Sequence, residues 1–284
     1  MRTELSVPRL FALVGLLAIA SPIVNLAAAA EPAAAAEPAA APTAQGGGSK
    51  TAAEPQAAGP RVDPRAEQIV RRACAELADA KTFTFHAEVT FEQVLPQSPV
   101  KIQFAGATDY WVRKPDALAV DFESDLGAKR FWYDGTTLTV FDAPKMMYTS
   151  TAVPAPIDAM MERVAETNHL TLPLADLAMS DPCVNFKRVI FGAYVGRGDV
   201  GGVACDHLAF TESNFDWQIW IQHAGKPLPR KVVINYRSTP GAPEYVAVIS
   251  DWKFPTAIPD SRFTPQIPNK AIRIKFVDLK EPHP

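Results

Sequence analysis

The chain has 284 residues, with 28 basic and 31 acidic side chains and a formal net charge of -3. Because the two signs are interspersed, no field gathers a polyanion, which argues against nucleic-acid binding. Setting aside the first 60 residues leaves about 220, ample for one cored domain.

Arg2 and Arg9 precede an apolar run from Leu10 to Ala20, and Ala28, Ala29 and Ala30 supply the small residues of a cleavage site, so residues 1–30 read as an export signal. A bilayer-spanning helix needs roughly 20 apolar residues; the run is shorter, and no stable membrane span is expected after cleavage. No cysteine lies near the cleavage point to carry a lipid. Residues 31–60 repeat Glu-Pro-Ala units and end in a Gly-rich stretch, too poor in bulky apolar surface to offset the entropy of ordering. They are expected to form a disordered spacer, stiff at its prolines and loose at its glycines. Gly47 to Thr51 has the wrong order for a phosphate-binding loop. Residues 61–284 remain as a single domain.

Asp63 before Pro64 predicts a helix start, and Ala66, Ile69, Val70, Ala73, Cys74 and Leu77 recur at helical spacing. From Phe83 to Phe91 every odd residue is apolar and every even one polar, the pattern of a strand buried on one side of an antiparallel sheet. Further strands are predicted at Val100 to Tyr110, Leu118 to Glu123, Arg130 to Tyr133, Thr137 to Phe141 and Met146 to Thr149, with reversals at Asp134-Gly135 and at Asp142 to Lys145.

The alternation stops between Pro154 and Ile190. Ile157, Met160, Met161, Val164 and Ala165 are spaced for a helix, a shorter helical piece is predicted over Leu174 to Met179, and another after Asp181-Pro182. Strands resume at Ala193 to Val195, Ala204 to Thr211, Trp217 to Gln222, Lys231 to Arg237, Tyr245 to Trp252 and Ile272 to Val277. The chain therefore reads as strands, a helical insertion and strands again.

No catalytic or metal-binding constellation emerges, and no cofactor is implied. Gly196 to Gly201 matches a dinucleotide fingerprint by letters, but a strand follows it where a helix is required, so it reads as a hairpin loop; the Arg197-Gly198-Asp199 inside it carries no role. Asp206 and His207 are neighbours on a strand and face opposite ways, and no Gly-x-Ser-x-Gly elbow exists. His86, His169 and His223 lack the i, i+4 partner of a helical zinc site. Cys74, Cys183 and Cys205 are odd in number; a Cys183 to Cys205 bridge would contribute roughly 3 kcal/mol, with buried free thiols as the alternative. Trp217 and Trp220 point to opposite faces of one strand, so both faces are at least partly covered there.

Phe131 to Gly135, Leu172 to Leu177, Ser180 to Pro182, Gly202 to Phe210, Asp216 to Ile221 and Pro227 to Lys231 together resemble a bacterial family of predicted periplasmic proteins of unknown function, over roughly Pro64 to Phe263. That family is similar in architecture to lipoprotein carriers of the LolA, LolB and LppX type. The resemblance implies a periplasmic location and an α+β fold: a strongly curved antiparallel sheet, an open half-barrel with helices packed on its concave face and an apolar cavity between. A helix bearing flexible thioethers suits a pocket for variable acyl chains, so Met160, Met161, Val164, Trp217 and Phe85 are the expected ligand-lining residues. The expected function is non-enzymatic binding of a lipid, a lipoprotein acyl chain or another apolar ligand. The rival expectation is an envelope protein-interaction or sensing module with a filled core. A void above roughly 300 Å³ under the helices favours the first, a packed centre the second.

Overall fold

The computed structural model describes residues 61–168, 170 and 172–275. The expected export signal, spacer, His169 and the end of the basic tail lie outside the described residues. Helix α1, Pro64–Asp79, begins where Asp63 accepts a hydrogen bond from the Arg65 amide (2.8 Å) and proline opens the first turn. Six strands follow: β1 Thr82–Val94, β2 Lys101–Arg113, β3 Ala117–Ser124, β4 Gly127–Tyr133, β5 Thr137–Asp142 and β6 Met147–Ala152. Helix α2, Ile157–Asn168, and two 3-10 turns, Ala175–Ala178 and Phe186–Arg188, make up the insertion. The predicted short helices there are thus single turns. Strands β7 Phe191–Val200, β8 Val203–Thr211, β9 Asp216–Gln222, β10 Pro229–Asn235, β11 Glu244–Lys253 and β12 Ile272–Arg273 complete the chain.

All these strands belong to one sheet in the order β12-β6-β5-β4-β3-β2-β1-β11-β10-β9-β8-β7, antiparallel except where β12 joins β6. The chain winds outward from β1 to β6, crosses through the insertion to the opposite edge, and winds back to β11 beside β1. The edges β7 and β12 do not meet, so the sheet is a strongly curved, open half-barrel with its helices on the concave face. Extra residues in the ladders mark where it bends, as opposite Phe85, which faces both Asp251 and Trp252, with Asp251 at a φ of 52°. The expected fold class holds.

One local expectation is corrected. Residues 196–200 lie in β7 and pair with β8, and the reversal is confined to Gly201 and Gly202, whose φ values of 57° and 80° suit glycine. The wide hairpin loop read from the glycine-rich letters is a strand and a tight turn. Beyond β11, residues 254–271 cross the convex face before β12, Ile272–Arg273.

Register assigns the faces. Phe83, Phe85, Ala87, Val89 and Phe91 stand opposite Val112, Tyr110, Thr108, Gly106 and Phe104 on β2, and the same row continues through Leu118, Val120, Phe131, Tyr133, Leu138 and Val140. On the other side it continues through Ile249, Ala247 and Tyr245 to Val232, Ile234, Ile219 and Trp217. These residues form the concave face. Gly192 on β7 lets the Phe210 ring and Val62 close over the backbone, since a Cβ there would lie 2.7 Å from the ring.

Candidate functional site

Helix α1 and the insertion cover the concave face. Ala66, Ile69, Val70, Ala73 and Leu77 of α1 are buried, as are Ile157, Met160, Met161 and Val164 of α2 and Leu170, Leu172 and Leu174 beyond it. The cover is fixed at a few polar points. Tyr133 donates its hydroxyl to the Pro154 carbonyl (3.1 Å), Tyr110 donates to the Pro173 carbonyl, and Asp158 accepts from the Ser180 amide (3.1 Å) and hydroxyl (2.7 Å). Lys114 Nζ donates to the carbonyls of Leu77 and Met179, each at 2.7 Å, joining the end of α1 to the end of the first 3-10 turn. Burial lowers this ammonium to a pKa of about 8 against the pull of Asp158.

The described residues pack the concave interior closely. Phe85 stacks on Tyr110 (4.6 Å between centroids) and against Trp252 (4.7 Å), and Trp217 stacks on Phe210 (4.3 Å). Phe83, Ala87, Val112, Tyr133, Leu138, Met160, Val164 and Leu208 have no surface open to a water-sized sphere. A void of about 50 Å³ remains between α1, residues 176–186 and β9, bordered by Val70, Leu77, Phe186, Trp217 and Ile219. Of the expected lining residues Trp217 borders it; Phe85, Met160, Met161 and Val164 do not, being engaged elsewhere in the same interior.

The possible Cys183 to Cys205 bridge is not formed. Cys183 is bonded to Cys74 on α1 with an S–S distance of 2.08 Å, while Cys205 is a buried free thiol. In the unbroken β8–β9 register Cys205 has the parity opposite to Asp206 and Leu208, which puts it on the convex face, and the sheet separates it from the insertion. Burial raises its thiol pKa.

Two buried acids flank the interior. Glu212, just past β8, is pushed by burial to a pKa of about 7, with Asp176 adding to the rise and Arg188 and Trp217 opposing it. Asp206 accepts hydrogen bonds from Tyr194 (3.0 Å) and from His223 Nδ1 (2.8 Å); burial pushes its carboxyl up, but these bonds and nearby Arg197 outweigh it and hold it low. Arg197 lies 2.6 Å from His223 Nε2, and the Arg65 guanidinium lies over the Tyr194 ring. Sequence reading set Asp206 beside His207; the true partner, His223, arrives across the β8–β9 ladder. Since Arg197 occupies the second ring nitrogen, the arrangement ties β7 to β9 and presents no nucleophile. Among the described residues no cluster of His, Cys, Asp and Glu could hold a metal ion.

Residues 254–271 form a strap on the convex face that sequence reading missed. Ile258 and Phe263 close over Ala117, Ala119, Trp132 and Phe141, with Trp111, Tyr148 and Ile267 at the margin. The Arg262 guanidinium lies 3.3 Å from the centre of the Trp111 ring and donates to Asp121 (2.7 Å); Arg113 pairs with Asp260 and lies over Phe263. Thr82 donates its hydroxyl to the Pro255 carbonyl. Beside the strap opens a cleft of about 550 Å³, lined by Thr84, Trp111, Lys253, Pro255, Ala257, Ile258, Pro259, Ser261 and Arg262. The signals for this second layer were unbroken apolar runs, Ala117 to Val120 on β3 and Phe131-Trp132-Tyr133 on β4.

Residues 66–277 match the model of a family of predicted periplasmic proteins, DUF2092. The chain belongs to that family, which is periplasmic. No helix among the described residues is long and apolar enough to cross a membrane. No curated protein sequence matches. Solved structures with a similar fold include LprF from Mycobacterium bovis (15% identity, TM-score 0.44, 70% of this chain and 98% of that one) and the lipoprotein LppX from Mycobacterium tuberculosis (15%, 0.44, 69% and 100%). A LolA superfamily protein from Nitrosomonas europaea is similar at 12% identity and TM-score 0.36, over 70% of this chain and 97% of that one.

Proposed function

We propose that the chain is a non-enzymatic periplasmic interaction module, whose concave side is its packed core and whose convex, strap-bearing side meets an envelope protein segment. The observation that supports this reading is the close packing of the described concave residues: the void they leave between α1, residues 176–186 and β9 is about 50 Å³, where a small-molecule site takes roughly 300 Å³ or more. The convex cleft, by contrast, is open and of that size. Native mass spectrometry and solvent extraction of the protein isolated from its own cells test the reading. The expected result is a ligand-free protein that leaves fluorescent fatty acids unbound; a stoichiometric co-purifying lipid overturns it.

A second reading has an observation of its own. The cover between Pro154 and Ile190 is irregular over much of its length and meets the sheet through few hydrogen bonds, and the void lies beneath it. A lipid or acyl chain could lodge between sheet and cover if the cover moved outward, with Met160, Met161, Val164, Trp217 and Phe85 in contact with it. Burying a C16 chain is worth on the order of 10 kcal/mol at about 0.8 per methylene, before association costs. Hydrogen exchange with and without palmitate distinguishes the readings: this one requires faster exchange over residues 154–190 with the fatty acid present.

A further inference from the structure

We propose that the free edge of β7 is a self-association surface, on which two copies of the chain pair antiparallel, β7 against β7, about a two-fold axis at Gly198. The contact lies at the edge of the sheet and stands whether or not the convex cleft takes a partner segment. β7 ends the sheet, and among the described residues only its first part is covered. The Gly192 amide donates to the Arg61 carbonyl, the Gly192 carbonyl accepts from the Asp63 amide, and the Tyr194 amide donates to the Asp63 carboxylate (3.3 Å). From Val195 to Val200 no strand among the described residues lies alongside.

Register decides which backbone groups that edge offers. Gly201 and Gly202 close a two-residue hairpin in which Val200 stands opposite Val203, so this pair is hydrogen-bonded and, by alternation, so are Gly198 with Cys205 and Gly196 with His207. The N–H and C=O of Arg197 and Asp199 therefore point away from β8. The extra residue Val195 gives the same parity from the other end: Gly192 and Tyr194 face outward before it, and Arg197 and Asp199 after it. With Gly198 opposite itself, Arg197 of one copy stands opposite Asp199 of the other, and each such pair exchanges N–H and C=O in both directions. The free stretch is symmetrical about that axis, since the bulge residue Val195 and the turn glycine Gly201 lie equally far from Gly198. At the axis the two backbones come closest, and Gly198 has no side chain to hold them apart.

Charges on an edge strand normally keep a second sheet away. Here Arg197 and Asp199 are both exposed and opposite in sign, so antiparallel pairing about Gly198 turns them into two cross-strand attractions. Arg197 is held at the edge by His223 Nε2 (2.6 Å), and Asp199 Oδ1 accepts from the Gly202 amide (2.8 Å), which leaves Oδ2 for the second copy's guanidinium. Val195, an exposed apolar side chain, is covered where the second copy's turn reaches it. The edge is thus complementary to itself in backbone, length and charge.

Sedimentation velocity over a range of protein concentrations is expected to show a reversible monomer–dimer equilibrium that added salt weakens. Arg197→Asp makes the edge wholly acidic and Asp199→Arg makes it wholly basic. Each alone is expected to weaken self-association about tenfold or more, because two attractive pairs become repulsive. Mixed in equal amounts, the acidic and basic variants bring opposite charges together again and are expected to form a heterodimer about as tight as the parent's dimer. A chain that stays monomeric at every concentration, a dimer that either reversal leaves intact, or folded variants that do not combine each overturn the proposal. A second readout needs no variant: amide exchange followed by NMR on the parent is expected to slow at Arg197 and Asp199 as concentration rises, with Gly198, already bonded to β8, unchanged. Exchange at Arg197 and Asp199 that ignores concentration overturns the proposal as well.

Discussion

Glu212 is an acid held where water scarcely reaches it, and its proton therefore reports on folding. Its folded pKa, about 7, lies above the ordinary 4.5. Between those values the native chain holds a proton that the unfolded chain has released, so this residue's contribution to stability is greatest below pH 4.5 and declines as pH rises through 7. Glu212→Gln keeps the shape and removes the charge. Urea denaturation is expected to find it more stable than the parent by about 2 kcal/mol at pH 8 and equal at pH 4; a loss at pH 8 would show that the carboxylate is fully compensated. No such residue was legible in the sequence, because a Glu after a strand reads as a surface charge until its neighbours are known. The cysteines teach the same point: Cys183 and Cys205 are close along the chain and lie on opposite faces of a sheet, while Cys74, 109 residues from Cys183, is the partner.

At the scale of elements, the strands and helix α2 carried their own signature and the rest of the insertion did not. Alternation across Phe83 to Phe91 requires a one-sided strand, whereas Pro173 to Arg188 holds prolines and polar residues at no regular spacing, and folds into single turns that depend on what they touch. Two of the ties that hold this segment make separate predictions. Lys114, in the turn after β2, bonds two carbonyl ends at once. Lys114→Met should lose roughly 2 kcal/mol by leaving both carbonyls without a donor, and should open residues 154–190 to limited proteolysis. Its amine is depressed to about 8 from 10.5, so the unfolded chain holds the extra proton between those values. The parent's stability should thus rise across that window relative to the Met variant; a parallel pH profile would mean the ammonium is not desolvated. The second tie is the disulfide. Replacing Cys74 and Cys183 together by Ala removes a loop constraint worth about 4–5 kcal/mol in the chain-entropy model, a loss readable in urea, whereas Cys205→Ala should change stability by less than about 2 kcal/mol.

At the scale of the whole molecule the sheet is a shared wall between two cores, and that determines how it unfolds. The concave layer was foreseeable from alternating strands plus amphipathic helices. The convex layer was not, because Ile258, Phe263 and Ile267 follow no helical or strand period and their partners sit on faces that alternation assigns to solvent. Trp132 and Phe141, although on that outer face, are as buried as residues of the main core. Phe263 is the largest side chain the strap buries, and Arg113 and Asp260 hold the strap over it. Phe263→Ala should therefore lower stability by about 3–5 kcal/mol, as truncation of a buried aromatic does. Both cores rest on the same strands: Tyr110 faces inward and Trp111 outward from adjacent residues of β2, and neither layer can melt while leaving the other's floor intact. A single urea transition, shifted to lower concentration with its slope unchanged, is the expected outcome. Two separated transitions in the variant would mean that the strap folds as an independent unit, and the convex cleft would then be an appendage to the half-barrel instead of part of its architecture.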